Sequence, residues 1–461
     1  MFKRYLGDKA FFRRIAAVAL PIVIQNAITN FVSLLDNIMV GQTSTVQMSG
    51  VAIVNQLMFI YYLCIFGAMA GAGIFGAQFH GSGDHEGVRR TFRFKLMAGL
   101  MLGVGGILLF CFANTPLINL YLQSGDDPAG AAETMIHGKD YLQIMLWGLI
   151  PFALNNAYAS TLRETGQTKV PMVAGIAAVL VNLCLNYVLI FGHFGAPAMG
   201  AKGAALATVI SRYVEFAIVA GWTHLNPKRN PFIQKAYRSM YIPLSLLKKI
   251  LIKGSPLLVN EFLFALGIAF INQCYSIRSL DVLAATNISS TIYNICSVLY
   301  LSMGNTIGII MGQMMGAGND KQTVRDAFNK MTFLSVGSCT VFGLLLMSLS
   351  GAFPMLYNTS DSVRAMASQI IIIQGCIMPF HGYIHAAYFA MRSGGKTMIT
   401  FFFDSGYIWL VLVPLAYCLS RFTLIPVVLL IALCNAAEAL KCIAGRIIIR
   451  KDSWIQDLTK L

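Results

Sequence analysis

Charge is what this chain has least of. Asp, Glu, Lys and Arg make up only 11% of the 461 residues, where a soluble domain carries about 25%. With 57% hydrophobic residues, that deficit excludes an ordinary water-soluble fold and points to an all-α integral membrane protein. The ten cysteines include no CxxC pair. Their isolation in apolar surroundings (Cys64, Cys111, Cys184, Cys274) excludes a zinc ribbon or disulfide framework and fits small core residues. Carboxylates are outnumbered, 19 against 34 Lys and Arg, for a formal charge of +15. Such a balance can mark a nucleic-acid binder, so its distribution along the chain decides. No stretch reads as a separate soluble domain. The first apolar segment is too long, and lacks the small-residue cleavage site, for a removable signal peptide.

What is present is a succession of apolar runs. A span needs about 20 residues at about 1.5 Å rise each. Twelve are expected, at 14–40, 51–77, 94–117, 138–161, 170–192, 201–222, 252–275, 283–311, 329–349, 365–391, 398–419 and 424–446. The longest polar connection, 223–251, divides them into an N-terminal lobe of six (1–222) and a C-terminal lobe of six (252–461).

Basic residues orient the spans. With the N-terminus inside, 28 of the 34 Lys and Arg fall on the inner side, from Lys3, Arg4 and Lys9 through Arg89–Arg93–Lys95 and the linker to Lys441, Arg446 and Lys460. Five fall outside (Lys139, Lys202, Arg278, Arg364, Arg421), and Arg212 lies within a span. This is a positive-inside pattern. It places both termini in the cytoplasm, accounts for the basic charge without nucleic acid, and leaves Asp126, Asp127 and Glu133 outside.

The halves repeat. At a shift of 235, Pro21, Gln78, Gly81 and Gly83 match Pro256, Gln313, Gly316 and Gly318. Val88-Arg89 matches Val324-Arg325, Pro151-Phe152 matches Pro379-Phe380, Arg163, Gly166 and Thr168 match Arg392, Gly395 and Thr397, and Glu215 matches Glu438. An even number of spans per half relates the lobes by an axis along the membrane normal, the architecture of a rocking carrier. The four prolines are expected to break or bend helices.

A few polar groups interrupt the spans. The run 20–41 carries Pro21, Gln25, Asn26, Asn30 and Asp36. An intramembrane carboxylate costs about 2.5–3.5 kcal/mol on insertion scales, so Asp36 is a candidate for binding a cation or proton, against the alternative of a hydrated, merely tolerated acid. Glu261 and Asp404 are the corresponding candidates in the second half, against structural or near-surface roles. Burial disfavours an ionised carboxyl and a nearby cation favours it; that opposition lets proton and cation exclude each other at one group. Arg212 and Glu215, three apart, read as a mutually neutralised pair. Glu438 has Asn435 in place of the arginine and reads as near the interface. His381 and His385, four apart, offer weak support for a metal, a proton-sensitive lining or plain packing. Aromatic and methionine side chains could serve a pocket for flat cations. The segment 390–397 fits a loose phosphate-loop pattern but lies between two spans, without the strand and nucleotide domain such a loop needs, so no ATP is expected. The loop 84–90 does not fit the basic inner loop of the major facilitator carriers.

Leu35-Asp36-Asn37-Ile38-Met39-Val40-Gly41, Gly76-Ala77-Gln78, Arg163-Glu164-Thr165-Gly166-Gln167-Thr168, and the stretches 182–192 and 200–208, in this order, resemble the multidrug and toxic compound extrusion (MATE) family. The resemblance covers nearly the whole chain. It implies two six-helix lobes, a V-shaped cavity between them, and export of cationic, amphipathic compounds in exchange for Na⁺ or H⁺. Asp36 stands at the family's first-span acid and Glu261 at the seventh-span acid of the NorM-like branch. Asn186 stands where the DinF-like branch has an acid, which favours the NorM-like side. The tenth-span acid is missing; His381 stands there, with Asp404 on the next helix as a replacement.

The expected function is therefore a secondary active multidrug exporter in the plasma (inner) membrane, monomeric, with Na⁺ or H⁺ as coupling ion, no cofactor, no bound metal and no enzymatic activity. The coupling or substrate residues expected are Asp36, Glu261, Asp404, His381, Asn182, Asn186, Gln25 and Asn26. The alternative is a flippase or exporter of lipid-linked precursors or metabolites from the same superfamily. That function would favour a cationic cavity, whereas the candidates here are mostly acidic. An intramembrane enzyme would need a nucleophile–base set or a metal motif, and the sequence offers neither.

Overall fold

The computed structural model describes residues 7–41, 44–122, 128–277 and 280–460. Lys3, Arg4, Asp126, Asp127 and Arg278, and the side chains of Asn37 and Ile38, lie outside the described residues. Among those described there is no strand. Eleven helical stretches are long and apolar enough to cross a membrane.

The chain forms two compact units. One comprises residues 24–76 and 84–248; the other comprises the chain up to Val23, residues 77–83 and everything from Lys249 onward.

The first of these units holds most of α1 (Lys9–Gly41) and α2 (Thr45–Gly81), then α3 (His85–Asn119), α4 (Pro128–Leu146), α5 (Leu149–Glu164), α6 (Lys169–Phe191) and α7 (Ala201–Leu225). The expected fourth span, 138–161, is two helices with a break at Trp147-Gly148. Pro151 is the cause: it has no N–H to give the Trp147 carbonyl. Tyr213 of α7 supplies the missing donor at 3.1 Å, and Arg212 reaches the Gly148 carbonyl at 3.4 Å. Pro21, Pro256 and Pro379 instead lie inside continuous helices.

Two basic residues assigned to the inner loops are built into this unit. Lys95 is fully buried, with Nζ 2.6 Å and 2.7 Å from the two Glu164 carboxylate oxygens. Arg93 donates to the Ala236 and Lys235 carbonyls at 2.9 Å and 3.0 Å, and Phe232 packs edge-on against Phe92. The polar connection after α7 is thus folded onto α3.

The other unit holds α8 (Leu244–Ser276) from Lys249 onward, α9 (Leu280–Gly316), α10 (Lys321–Ser348) and α11 (Asp361–Ser393). A long rod follows: α12 (Thr397–Phe401), two π-helical segments (Phe402–Gly406 and Ile408–Leu412) and α13 (Val413–Phe422). It ends with α14 (Val427–Ala439) and α15 (Lys441–Arg450). Ile307 and Met311 of α9, Met331 of α10 and Met391 of α11 share one core with Trp454. The chain after α15 is strapped to the buried Gln78 amide, which donates to the Ser393 and Gln456 carbonyls and accepts from the Leu458 N–H at 2.6 Å.

The repeat seen in the sequence has a physical basis at the turns. Gly83 and Gly318 both have positive φ (77° and 72°), and Asp84 and Asp320 then cap α3 and α10. Gly166 and Gly395 repeat the device at 81° and 74°. A left-handed residue after a helix favours glycine because a Cβ would collide with the following carbonyl. Gly81 and Gly316 match for a different reason: a Cβ on Gly81 would strike the Gln313 carbonyl, and one on Gly316 the Gln78 carbonyl.

Candidate functional site

Two acid-centred clusters emerge, one in each unit. The first is built on α1, α6 and α7. Asn182 and Asn186, one helical turn apart on α6, present their amides to Asp36. Asn186 Nδ2 donates to Asp36 Oδ1 at 2.6 Å. With its amide nitrogen turned toward the carboxylate, Asn182 donates to Oδ1 and Oδ2 at 2.9 Å and 3.1 Å, and its oxygen then faces the Thr208 hydroxyl. Asp36 is half-buried, while Asn182 and Asn186 are buried. Asn186 Oδ1 is buried without a hydrogen-bond partner. The amide N–H groups stabilise the carboxylate without cancelling its charge, which leaves Asp36 able to take a proton or a cation.

Gln25 and Asn26 are not part of this cluster. Eleven residues of helix put Gln25 roughly 16 Å from Asp36 along the axis. It accepts a hydrogen bond from Arg163 Nη2 at 3.2 Å. Asn26 is half-buried on the same turn of α1.

The second cluster runs through α8, α9, α11, the π-helical rod and the last two helices. Asp404 lies in the first π-helical segment, a local widening of the helix that recurs at functional sites. Its Oδ1 accepts from Lys441 Nζ at 2.9 Å and its Oδ2 from Asn260 Nδ2 at 3.2 Å. Asn260 also accepts from the Ser405 N–H and hydroxyl at 3.2 Å and 2.8 Å. Lys441 lies 4.0 Å from Glu438, which lies 3.5 Å from His381 Nε2. The Tyr293 hydroxyl is 2.6 Å from His381 Nδ1 and 3.2 Å from the Tyr300 hydroxyl. With Tyr293 donating to Nδ1, the imidazole is left with Nε2–H to offer Glu438.

Asp404 and His381 are therefore connected, but through Lys441 and Glu438. Glu261 is half-buried on α8, next in sequence to Asn260.

Several sequence readings change. Lys441 was counted as a cytoplasmic charge, yet its side chain is 1% exposed. Glu438 is not an isolated interfacial acid; its partners are Lys441 and His381. His385 Nδ1 meets the His381 backbone carbonyl at 3.1 Å, so the two imidazoles do not converge on a metal. Arg212 and Glu215 do not simply neutralise each other. Arg212 binds the Tyr62 hydroxyl and lies over the Tyr62 and Phe152 rings.

Asn260 and Lys441 were missed as site residues, and both had a signal. Asn260 is the repeat partner of Gln25, and Lys441 follows Glu438 by three in an otherwise apolar run.

The MatE family model matches residues 21–188 and 256–418. A probable multidrug resistance protein NorM from Thermotoga maritima is 24% identical over 427 residues, covering 92% of this chain and 89% of that one. A protein of the same name from Neisseria meningitidis is 25% identical over 86% of this chain and 84% of its own. Among solved structures, an outward-facing multidrug resistance MATE transporter of the MOP superfamily superposes with a TM-score of 0.86 at 18% identity, covering 98% of both chains. A MOP superfamily transporter from Pyrococcus furiosus, described by a binding pocket of reverse polarity, reaches 0.84 at 19% identity and the same coverage. The chain is a multi-pass membrane protein and belongs to the MatE family of multidrug and toxic compound extrusion transporters.

Proposed function

We propose that this chain is a secondary active exporter of amphipathic, mostly cationic compounds, driven by exchange for Na⁺ or H⁺, in the plasma membrane. The broken α4–α5 pair supplies the twelfth crossing, both termini are cytoplasmic, and the monomer is the working unit. The lobes 1–222 and 252–461, joined by 223–251, carry alternating access.

The observation that carries this reading is the Asp36 cluster. Its carboxylate rests on two neutral amides, beside the unpartnered Asn186 Oδ1. Such an acid has a place for an exchangeable positive charge. Coupling requires that ion and cargo prefer different states or exclude each other at a shared group; otherwise neither moves the other. A cation or proton on Asp36 favours release of cargo outward, and the ionised carboxylate favours capture of cationic cargo from inside.

The test is uptake of ethidium into inverted vesicles, driven separately by a Na⁺ gradient and a pH gradient. Uptake with one gradient, lost in Asp36→Asn at unchanged membrane abundance, is the expected result. Full uptake by Asp36→Asn overturns the role of Asp36. No uptake with either gradient overturns the multidrug reading and moves the assignment toward anionic or lipid-linked cargo.

A further inference from the structure

The second cluster already contains a positive charge. Lys441 Nζ lies 2.9 Å from Asp404 and 4.0 Å from Glu438, and its side chain is 1% exposed. The Phe403 and Tyr407 rings face the same ammonium at 5.4 Å and 5.8 Å. Two carboxylates and two aromatic faces form the kind of cradle that binds a monovalent cation. Here the cation is covalently attached to the protein.

We infer that Lys441 is a resident counter-ion that occupies the Asp404–Glu438 carboxylates and excludes inorganic monovalent cations from them. It is thus a specificity-determining residue, confining cation exchange to Asp36. This inference rests on the reading of Asp36 as the exchanging acid. A group attached to the chain next to its partners acts at high effective concentration. A free alkali ion must displace that group and also shed its own water.

The surrounding charges agree with this assignment. Glu438 faces Lys441 on one side and His381 on the other, with Tyr293 behind the imidazole. His385 is turned to a backbone carbonyl. Asp404 and Glu438 thus each face a positive charge or a hydrogen-bond donor of the protein itself. The contrast with Asp36 is one of chemistry: amides stabilise a carboxylate without neutralising it, whereas an ammonium neutralises it.

The experiment is thermal unfolding of the purified full-length protein in detergent, in NaCl against choline chloride at equal ionic strength. The Asp36→Asn variant is expected to show no Na⁺-specific shift. Asp36→Asn/Lys441→Gln is expected to gain one, a rise in Tm of about 2–4 °C at saturating Na⁺. Adding Asp404→Asn removes the gain, and Lys441→Arg in place of Lys441→Gln does not produce it. A folded, monodisperse Asp36→Asn/Lys441→Gln protein with no Na⁺ rise overturns the inference. So does a Na⁺ rise in Asp36→Asn that Asp404→Asn abolishes. If Lys441→Gln does not fold, that last comparison decides alone: absence of the rise supports the inference and its presence overturns it. The readout is binding, not transport. Failure to export ethidium therefore leaves this result standing, and failure here leaves the transport result for Asp36 standing.

Discussion

Asp36 and Asp404 are both carboxylates on long apolar helices, and the protein stabilises them by opposite means. Asp36 is held by Asn182 and Asn186, groups that donate hydrogen bonds and carry no charge. Asp404 is held by Asn260 and by the ammonium of Lys441. The helix backbones differ too. α6, which serves Asp36, is regular from Lys169 to Phe191, whereas Asp404 stands in a π-helical segment. The two acids are not repeat partners: at a shift of 235 Asp36 matches Ile271, and at 229 Asp404 matches Gly175, so the halves share their turns but not their acids. The Asp36 arrangement leaves room for an exchangeable charge; the Asp404 arrangement resembles a completed ion pair. A third acid, Glu164, shows a completed ion pair in the other unit. Lys95 sits on both its oxygens, and Thr161 adds a contact to the ammonium at 3.2 Å.

The comparison breaks first at transport. Asp36→Asn is expected to reduce ethidium uptake to the background of empty vesicles, while Asp404→Asn keeps a measurable fraction. Equal and complete loss in both would erase the distinction.

The next effect is on stability. Lys441→Met leaves two half-buried acids without their ammonium, and removal of one partner of a buried pair costs at most about 3–5 kcal/mol. Thermal unfolding in detergent should show a large loss of Tm, mostly recovered in Lys441→Met/Asp404→Asn. A double variant no more stable than the single one would mean that Lys441 serves packing. Lys95→Met, with or without Glu164→Gln, is the matching cycle in the other unit. It is expected to cost about 3 kcal/mol singly and less when both charges are removed. Transport per folded molecule should survive in the double variant, in contrast to Asp36→Asn.

Smaller effects test the repeat itself. Gly316→Ala and Gly81→Ala each push a methyl group into a backbone carbonyl, and overpacking of this kind costs about 1–3 kcal/mol. Equal losses would sharpen the case for a reciprocal contact, and a loss in only one would break it. Last, Tyr213→Phe removes the donor that replaces the missing Pro151 N–H. A net loss of about 0.5–1.5 kcal/mol is expected, read as a small fall in Tm.

The sequence alone determined the class and most of the plan. Apolar runs of sufficient length can satisfy their backbones in a membrane only as helices, so an all-α fold followed from composition. Turn glycines such as Gly83 and Gly318 were legible because few other residues tolerate positive φ. Asp36 was legible because a carboxylate in a long apolar run is conspicuous, and Asn182 and Asn186 because they fall in motifs quoted for the family resemblance.

Tertiary structure alone decided partnership. Pro151 breaks its helix while Pro379 does not, and at the break the Tyr213 hydroxyl takes up the Trp147 carbonyl that Pro151 leaves without a donor. Lys441 and Lys95 read as loop charges because the positive-inside pattern counts charges near helix ends and cannot tell a solvated lysine from one folded back onto a carboxylate. Gln25 and Asn26 read as coupling or substrate residues on the helix of Asp36, yet the rise of that helix carries them away from its carboxylate. Sequence spacing ranks residues along one helix; the assignment of an acid to an amide or to an ammonium depends on which other helix packs against it, and that is a property of the fold.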